Sequence, residues 1–463
     1  MSSAKKKNNL PTGEAADELR SHLMRIYAQA VQSEYPTDHL VGFYLRKNPK
    51  LVGSGKGFVA ATLYALLRKR IRTVLLWQAS NLDGPRATTL TPLAALNPEE
   101  EAWRAIGRWI IEDLHAKASM AYELVRAAGA SAGWEINETA LSQFLGAVAD
   151  GDLPTRLSPD LAEAARLNLH PELLTRWRQR FGRESLNSLA ESFQQPAPLQ
   201  VRVNTSLITR DRFIQALRAA GVEATPTRYS PTGVECGQKV NLQRLDGLTE
   251  GWWEVQDEGS QLVSLAVDPQ PGWRVLDACA GGGGKAIHLA CLQPKAQVEA
   301  YDLDPERLEP LTARRERAAL RNVRSLDAQP APPQQWDAVL VDAPCLGIGR
   351  LRRDPTVQYR GGTIAERARK AAADQIGCLR SYAPCVARGG ILLYALCSFE
   401  REETDDVLAT FQQEFPDFVP DPLPKLFQTR DFAPLRSPDG SRLILVPPLH
   451  GTDGFFMARF RRR

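Results

Sequence analysis

The sequence predicts a parallel α/β domain behind an all-helical N-terminal domain, with a small α+β module between them. Three observations carry this. From about residue 262, short apolar runs alternate with helical stretches, the pattern of a parallel sheet covered on both faces. Before residue 190 hardly any stretch alternates with period 2, while apolar residues recur at helical spacing. Between these regions lies a Pro-rich joint, QQPAPLQ at 194–200, a composition common at domain boundaries.

Taken in order, residues 1–13 carry a Lys run, Asn and Pro and are expected to form a disordered tail. A helical domain is expected over 14–193. There Leu19, Leu23, Ile26 and Tyr27 share one face. GFVAATLYALLRKRIRTVLLW reads as one long helical run with basic residues towards its end, and EEEAWRAIGRWIIEDLHAKA opens acidic, as helix starts do. The α+β module is expected over 199–260. It holds the strand VRVN, the helix TRDRFIQALRAAGV ending at Gly221, and a turn at Ser230-Pro231-Thr232-Gly233. The sheet domain follows over 261–463, with strands WRVLDAC, QVEAYDL, DAVLVDA and GILLYALCS. Ligands of such sheets bind at the carboxyl ends of the strands.

The 463 residues are 43% hydrophobic and 24% charged, which excludes a mainly disordered or collagen-like chain. No run approaches the ~18 apolar residues of a membrane span, and the N-terminus has no apolar signal core. Seven cysteines, with no CxxC pair, argue against a disulfide scaffold or a zinc ribbon and for a reducing cytoplasm. The net charge of +4 says little, but Arg is locally dense. Residues 310–324 hold five Arg and one acid, and 347–370 hold seven basic residues and two acids. Each cluster reads either as a solvated face or as a phosphate-binding surface.

Four motifs carry chemistry. Asp277-Ala278-Cys279-Ala280-Gly281-Gly282-Gly283-Gly284-Lys285 follows a strand and opens a helix, so the backbone can pass close to a ligand. It is not a phosphate-binding P-loop, since Cys279 and Ala286 stand where that motif needs Gly and Ser or Thr. Asp302, at the next strand end, is placed to accept ribose hydroxyls, and Asp327 stands near the strand end after that. These features alone fit a dinucleotide or S-adenosylmethionine. Asp342-Ala343-Pro344-Cys345 and Leu396-Cys397-Ser398 then end two further strands, placing two thiols by one crevice. Hydride transfer needs no such thiols. Methylation of cytosine C5 does, because C5 is a poor nucleophile until a thiolate adds to C6.

These motifs, in this order, resemble the RsmB/Sun family of RNA 5-methylcytosine methyltransferases over roughly 199–463. The family's DACAAPGGK is similar to 277–285, its DAPCSGTG to 342–349, its RRxP to Arg352–Pro355, and its TCS with paired acids to Cys397-Ser398 with Glu402-Glu403. Its closing DGFFxA is similar to 453–458, and its RVNT and GWxxVQDxxSQ to 202–205 and 251–261. The N-terminal helices resemble the NusB-like, RNA-binding domain of bacterial members, mainly through FVAATLYALLRKR.

The resemblance implies a Rossmann-like, S-adenosylmethionine-dependent methyltransferase domain and an RNA substrate, ribosomal by family default. It implies no metal, no membrane and a monomer. Cys397 would be the nucleophile and Cys345 the residue that releases the product. Asp342 would act at cytosine N3, and Lys285 would favour a thiolate. Cofactor contacts would come from Cys279, Ala280, Gly281, Gly282, Gly283, Gly284, Lys285, Asp302, Asp327 and Asp342. The chain departs from the family at Gly282 (for Pro), Ala286 (Thr), Leu346 (Ser), Ile348 (Thr), Leu396 (Thr) and Thr404 (Asn). The loss of these polar groups leaves two alternatives: a weakly active or inactive RNA-binding factor in ribosome assembly, and, on the glycine run and Asp302 alone, a dinucleotide-dependent oxidoreductase.

Overall fold

The computed structural model describes residues 14–51, 53–81, 86–237 and 247–463. The expected tail, 1–13, lies outside the described residues. The chain divides into two compact units, Met1–Gln195 with Leu351–Ile364, and Pro196–Arg350 with Ala365–Arg463.

The first unit is helical: α1 (Glu14–Gln32), α2 (Thr37–Lys47), α3 (Ser54–Arg68), α4 (Arg70–Ser80), α5 (Pro98–Glu112), α6 (Ala118–Ala132), α7 (Glu138–Asp150), α8 (Pro159–Leu167) and α9 (Pro171–Gln194). Helix α1 packs on α3, α5 and α6 through Leu23, Ile26 and Tyr27, all fully buried. The acidic start of α5 is capped by Asn97, whose side chain accepts from the Glu99 and Glu100 amides. The run expected as one helix breaks at Lys69 into α3 and α4. Arg70, just past the break, is buried and pairs through two nitrogens with Glu101, at 2.5 and 2.8 Å. A buried guanidinium needs such a fork, and the break admits it to the core.

Residues 351–364, expected within the sheet domain, pack with the helical unit. Asp354 accepts from Thr37 at 2.9 Å, Gln358 accepts from the His170 amide at 2.9 Å, and Arg70 lies 4.3 Å from the Tyr359 ring centre. Arg352 is only 6% exposed, and its carbonyl accepts from Arg68. As part of an exposed phosphate-binding cluster, Arg352 is therefore corrected: burial removes it from any RNA surface.

The second unit opens with an antiparallel sheet. Strands β1 (Leu199–Val203), β2 (Ala224–Pro226), β3 (Gly233–Cys236) and β4 (Trp253–Val255) lie in the order β2-β3-β1-β4. Helix α10 (Arg210–Ala219) packs Phe213, Ile214 and Leu217 against Val201, Val234 and Trp253.

The main sheet follows. Its strands are β5 (Arg274–Asp277), β6 (Gln297–Ala300), β7 (Val323–Ser325), β8 (Trp336–Asp342), β9 (Val386–Leu396), β10 (Phe418–Pro420), β11 (Arg442–Leu445) and β12 (Phe455–Arg462). Its helices are α11 (Glu258–Val267), α12 (Gly284–Leu292), α13 (Glu309–Arg317), α14 (Ile364–Tyr382), α15 (Val407–Glu414) and the single turn α16 (Pro447–His450). The strand order is β10-β12-β9-β8-β5-β6-β7, with β11 beside β12. Strands β9, β8, β5, β6 and β7 run parallel, and β12 runs antiparallel to β9. One core of Leu262, Ile287, Leu289 and Val298 covers one face, and another of Leu379, Tyr382, Val407 and Phe411 covers the other. The chain leaves β5 outward to β6 and β7, then returns to β8 on the opposite side of β5. The order therefore reverses between β5 and β8, and there a crevice opens at the carboxyl ends of the strands.

Candidate active site

Register brings the two thiols together. Asp342, the last residue of β8, lies opposite Ala395 of the neighbouring parallel strand β9. Cys397 is two residues beyond Ala395 and Cys345 three beyond Asp342, so both leave the sheet at the same level. Their sulfurs are 3.4 Å apart. A backbone crossing holds this junction: the Gly349 amide donates to the Cys397 carbonyl at 3.0 Å, and Gly454 donates to the Gly349 carbonyl at 2.8 Å. A Cβ on Gly349 would lie 2.1 Å from the Gly454 oxygen, so only glycine fits.

The charges beside the pair are unequal. Cys397 is lowered from the ordinary thiol value, first by the hydrogen bond from Cys345 and then, against burial, by the Arg350 and Lys285 cations. Cys345 is raised well above it by the same hydrogen bond, by burial, and by Glu403 and Asp342. Cys397 is thus the better thiolate and Cys345 the donor. Lys285, on the first turn of α12, reaches Asp342 at 2.5 Å. Burial opposes its charge, but Asp342 and Asp277 outweigh that and raise its pKa.

The glycine loop links β5 to α12. Gly281 and Gly283 have φ of +50° and +77°, and a Cβ on Gly283 would lie 2.4 Å from Leu311, so this turn requires glycine there. Asp302 braces the loop, accepting from the Gly281 amide at 2.7 Å and the Asp304 amide at 3.1 Å. Arg314 donates to the Gly282 carbonyl and pairs with Glu254, which Arg202 and Arg317 also contact. Arg314 and Arg317, expected in an RNA-facing cluster, are therefore spent on this internal network. Cys279 stands against Cys378 of α14, and their hydrogen bond, then burial, pushes its thiol well up. Asp327 is exposed, two residues past β7 and two strands from β5, away from the thiols.

Three groups were not singled out from sequence. Arg350 supplies a cation to Cys397. Glu403 is fully buried, and burial pushes it up to about 7. Asp277, at the end of β5, is 1% exposed, with the Ala286 amide as a backbone contact that favours its charged form. Burial pushes it up to about 7, Lys285 opposing and Asp342 and Asp302 adding. Its folded pKa lies above the unfolded value near 4. Stability is therefore fully present below that value and is lost as pH rises towards 7. Asp277→Asn is expected to gain on the parent by about 2–3 kcal/mol between pH 5 and pH 8, at about 1.4 kcal/mol per pH unit up to pH 7. Urea melts at the two pH values check this, and parallel profiles contradict it.

A Rossmann-like sheet with a glycine loop after its first strand and a carboxylate after its second defines a class that binds a nucleoside cofactor, a dinucleotide or S-adenosylmethionine. No described helix is long and apolar enough to cross a membrane. The sequence matches the family described as 16S rRNA methyltransferase RsmB/F over residues 264–461, and the RsmF/B-like ferredoxin-like domain over 170–243. The probable ribosomal RNA small subunit methyltransferase B of Bacillus subtilis is 33% identical over 303 residues, covering 64% of this chain and 66% of that protein. The ribosomal RNA small subunit methyltransferase B of Salmonella paratyphi B is 32% identical, covering 64% of this chain and 67% of that protein. The chain belongs to the RsmB/F methyltransferase family. The alignments span about two thirds of these relatives' lengths.

The crystal structure of PH0851 shares the fold with a TM-score of 0.75 at 22% identity, covering 96% of this chain and 99% of that one. NSun6 from Pyrococcus horikoshii, solved with the S-adenosylmethionine analogue SFG, shares it with a TM-score of 0.55 at 18% identity, covering 64% of this chain and 98% of that one. Family membership sets aside the dinucleotide-dependent oxidoreductase.

Proposed function

We propose that the protein methylates C5 of a cytosine in ribosomal RNA, using S-adenosylmethionine and a covalent cysteine–C6 adduct. The observation that carries this is the thiol pair at 3.4 Å beside the Lys285–Asp342 ion pair. When bound, S-adenosylmethionine supplies an electrophilic methyl group. The glycine loop and the Asp302 carboxylate fit its nucleoside, since loop amides and an acid at the second strand end suit a ribose. Residues 279–285, Asp302, Asp327 and Asp342 would hold it.

Cys397, as thiolate, adds to C6, and Asp342 holds a proton at N3, so that electron density moves to C5. Lys285 keeps Asp342 oriented and Cys397 ionised. After methylation Cys345, once its own proton has passed to solvent, takes the proton from C5; the Cys397–C6 bond breaks to restore that thiolate, and N3 returns its proton to Asp342. The base must be unstacked, at a cost of a few kcal/mol when it is flipped from a stem. Such a substrate places the protein with ribosomes in the cytoplasm. The apolar departures do not empty the site of hydrogen bonds. Ile348 and Leu396 are fully buried packing, and Leu346 still donates through its backbone amide to Glu403 at 2.8 Å. This favours the enzyme over an inactive binding factor.

Transfer of a labelled methyl group from S-adenosylmethionine to ribosomal RNA tests the reading, and no transfer contradicts it. Asp302→Ala is expected to weaken cofactor binding by at least about 1.5–3 kcal/mol, the worth of a charged hydrogen bond. Unchanged affinity in calorimetry would remove Asp302 from the site. RNA affinity is expected to fall steeply with salt, through exposed Arg321, Arg369 and Lys370 rather than Arg314, Arg317 or Arg352. Reversing the three exposed charges should flatten the salt slope, and an unchanged slope would assign them to a solvated face.

A further inference from the structure

Glu403 lies in a π-helical turn, Glu402–Asp406, closed by the Asp406 amide on the Arg401 carbonyl at 3.2 Å. Such turns are rare and recur at functional sites. This one turns a carboxylate inward to full burial, and its oxygens reach both thiol-bearing loops. Oε1 accepts from the Leu346 amide, the residue after Cys345, at 2.8 Å. Oε2 accepts from the hydroxyl of Ser398, the residue after Cys397. Gln375 of α14 donates to Oε1 at 3.1 Å and to the carbonyl of Pro344, the residue before Cys345, at 2.9 Å. The Tyr394 hydroxyl lies 2.8 Å from both Gln375 Oε1 and the Glu403 carbonyl. Glu403, Ser398, Gln375 and Tyr394 are all fully buried.

The Gly349–Cys397 backbone hydrogen bond ties the two loops four residues beyond Cys345, and it does not by itself fix the separation of the two sulfurs. We propose that Glu403 is a positioning residue, which ties the two loops together and so sets the separation of Cys345 and Cys397. It touches neither substrate nor sulfur. The inference rests on the proposed reading for its catalytic consequence, but not for its geometry.

The test reads the geometry without RNA or cofactor. Diamide oxidises two neighbouring thiols to a disulfide, taking up both hydrogens as a hydrazine. Peptide mass spectrometry then times formation of the Cys345–Cys397 link. Glu403→Ala is expected to slow that link at least tenfold. Loss of a neighbouring carboxylate alone would lower the Cys345 pKa and speed it, so the sign separates position from charge. Glu403→Gln keeps acceptor and shape, because the Ser398 hydroxyl can rotate to accept. It is expected to stay within threefold of the parent in linking rate and in kcat, whereas Glu403→Ala loses at least tenfold in kcat with cofactor affinity within threefold. A parental linking rate in Glu403→Ala would overturn the proposal. So would a Glu403→Gln variant that links normally yet loses kcat as Glu403→Ala does. Should Glu403→Ala fail to fold, Ser398→Ala removes one arm and is expected to slow linking at least threefold, and no slowing there would overturn the proposal. A parent protein that links its thiols but methylates no RNA would sink the proposed function and leave this inference standing.

Discussion

Cys345→Ala is expected to accumulate a protein–RNA complex that survives denaturing electrophoresis and forms only with both RNA and cofactor. Cys397→Ala, alone or combined with it, is expected to form no complex and no product. The asymmetry follows from timing and environment. Cys397, flanked by Arg350 and Lys285, is the more acidic thiol and makes the bond to C6. Cys345, held protonated beside Glu403 and Asp342 while the bond to C6 forms, must lose that proton before it can take the one from C5, so it acts after methylation. Removing it leaves bond formation possible and stalls release. A trap in Cys397→Ala but not in Cys345→Ala would reverse the assignment. Full activity in both variants would remove covalent catalysis altogether, since cytosine C5 is too weakly nucleophilic without it.

Asp342→Asn is expected to lower kcat by about 10²–10⁴, the range for loss of a positioned proton-transfer group. The substitution keeps shape but removes the charge 2.5 Å from the Lys285 ammonium. Two pKa values should fall together. Lys285 loses its strongest counter-charge, so its pKa should fall. Cys397 loses a neighbouring negative charge, so its thiolate should form at lower pH. Alkylation of Cys397 followed against pH is expected to shift to lower pH even as methylation collapses. A shift to higher pH, or a kcat within threefold of the parent, would show that Asp342 is not the group at N3.

The sheet was legible in sequence where an apolar strand was followed by a diagnostic loop. Strands β5, β6, β8 and β9 carry apolar runs that end in an acid, a glycine run or a cysteine. Strand β7 has three residues, and β12 carries Arg459, Arg461 and Arg462 among its apolar residues, so neither stood out. The break at Lys69 has no Pro or Gly to announce it; it serves a buried Arg70–Glu101 pair 31 positions apart, a distance no local pattern reports. The segment 351–364 was hidden for the same reason, being held by Thr37, Arg70 and His170, far away in the chain.

At the site, residues in local motifs were legible, and those acting through tertiary contact were not. Asp342, Cys345, Lys285 and Cys397 lie in recognisable strings, and parallel register puts them at one level. The bracing role of Arg314 was neither of the two readings of its cluster, solvated face or phosphate-binding surface, because its partners, Glu254 and the Gly282 carbonyl, are 60 and 32 positions away. Glu403 was visible only as one of two acids, since its partners come from three segments, at Leu346, at Gln375 and at Tyr394 and Ser398.

The most direct measurement is bisulfite sequencing of ribosomal RNA taken from a deletion strain and incubated with the purified protein and S-adenosylmethionine. The account predicts a cytosine that resists conversion after incubation with the parent protein and converts fully after incubation with Cys397→Ala. Complete conversion with the parent protein, alongside methyl transfer to the same RNA, would contradict C5 as the site and Cys397 as the nucleophile.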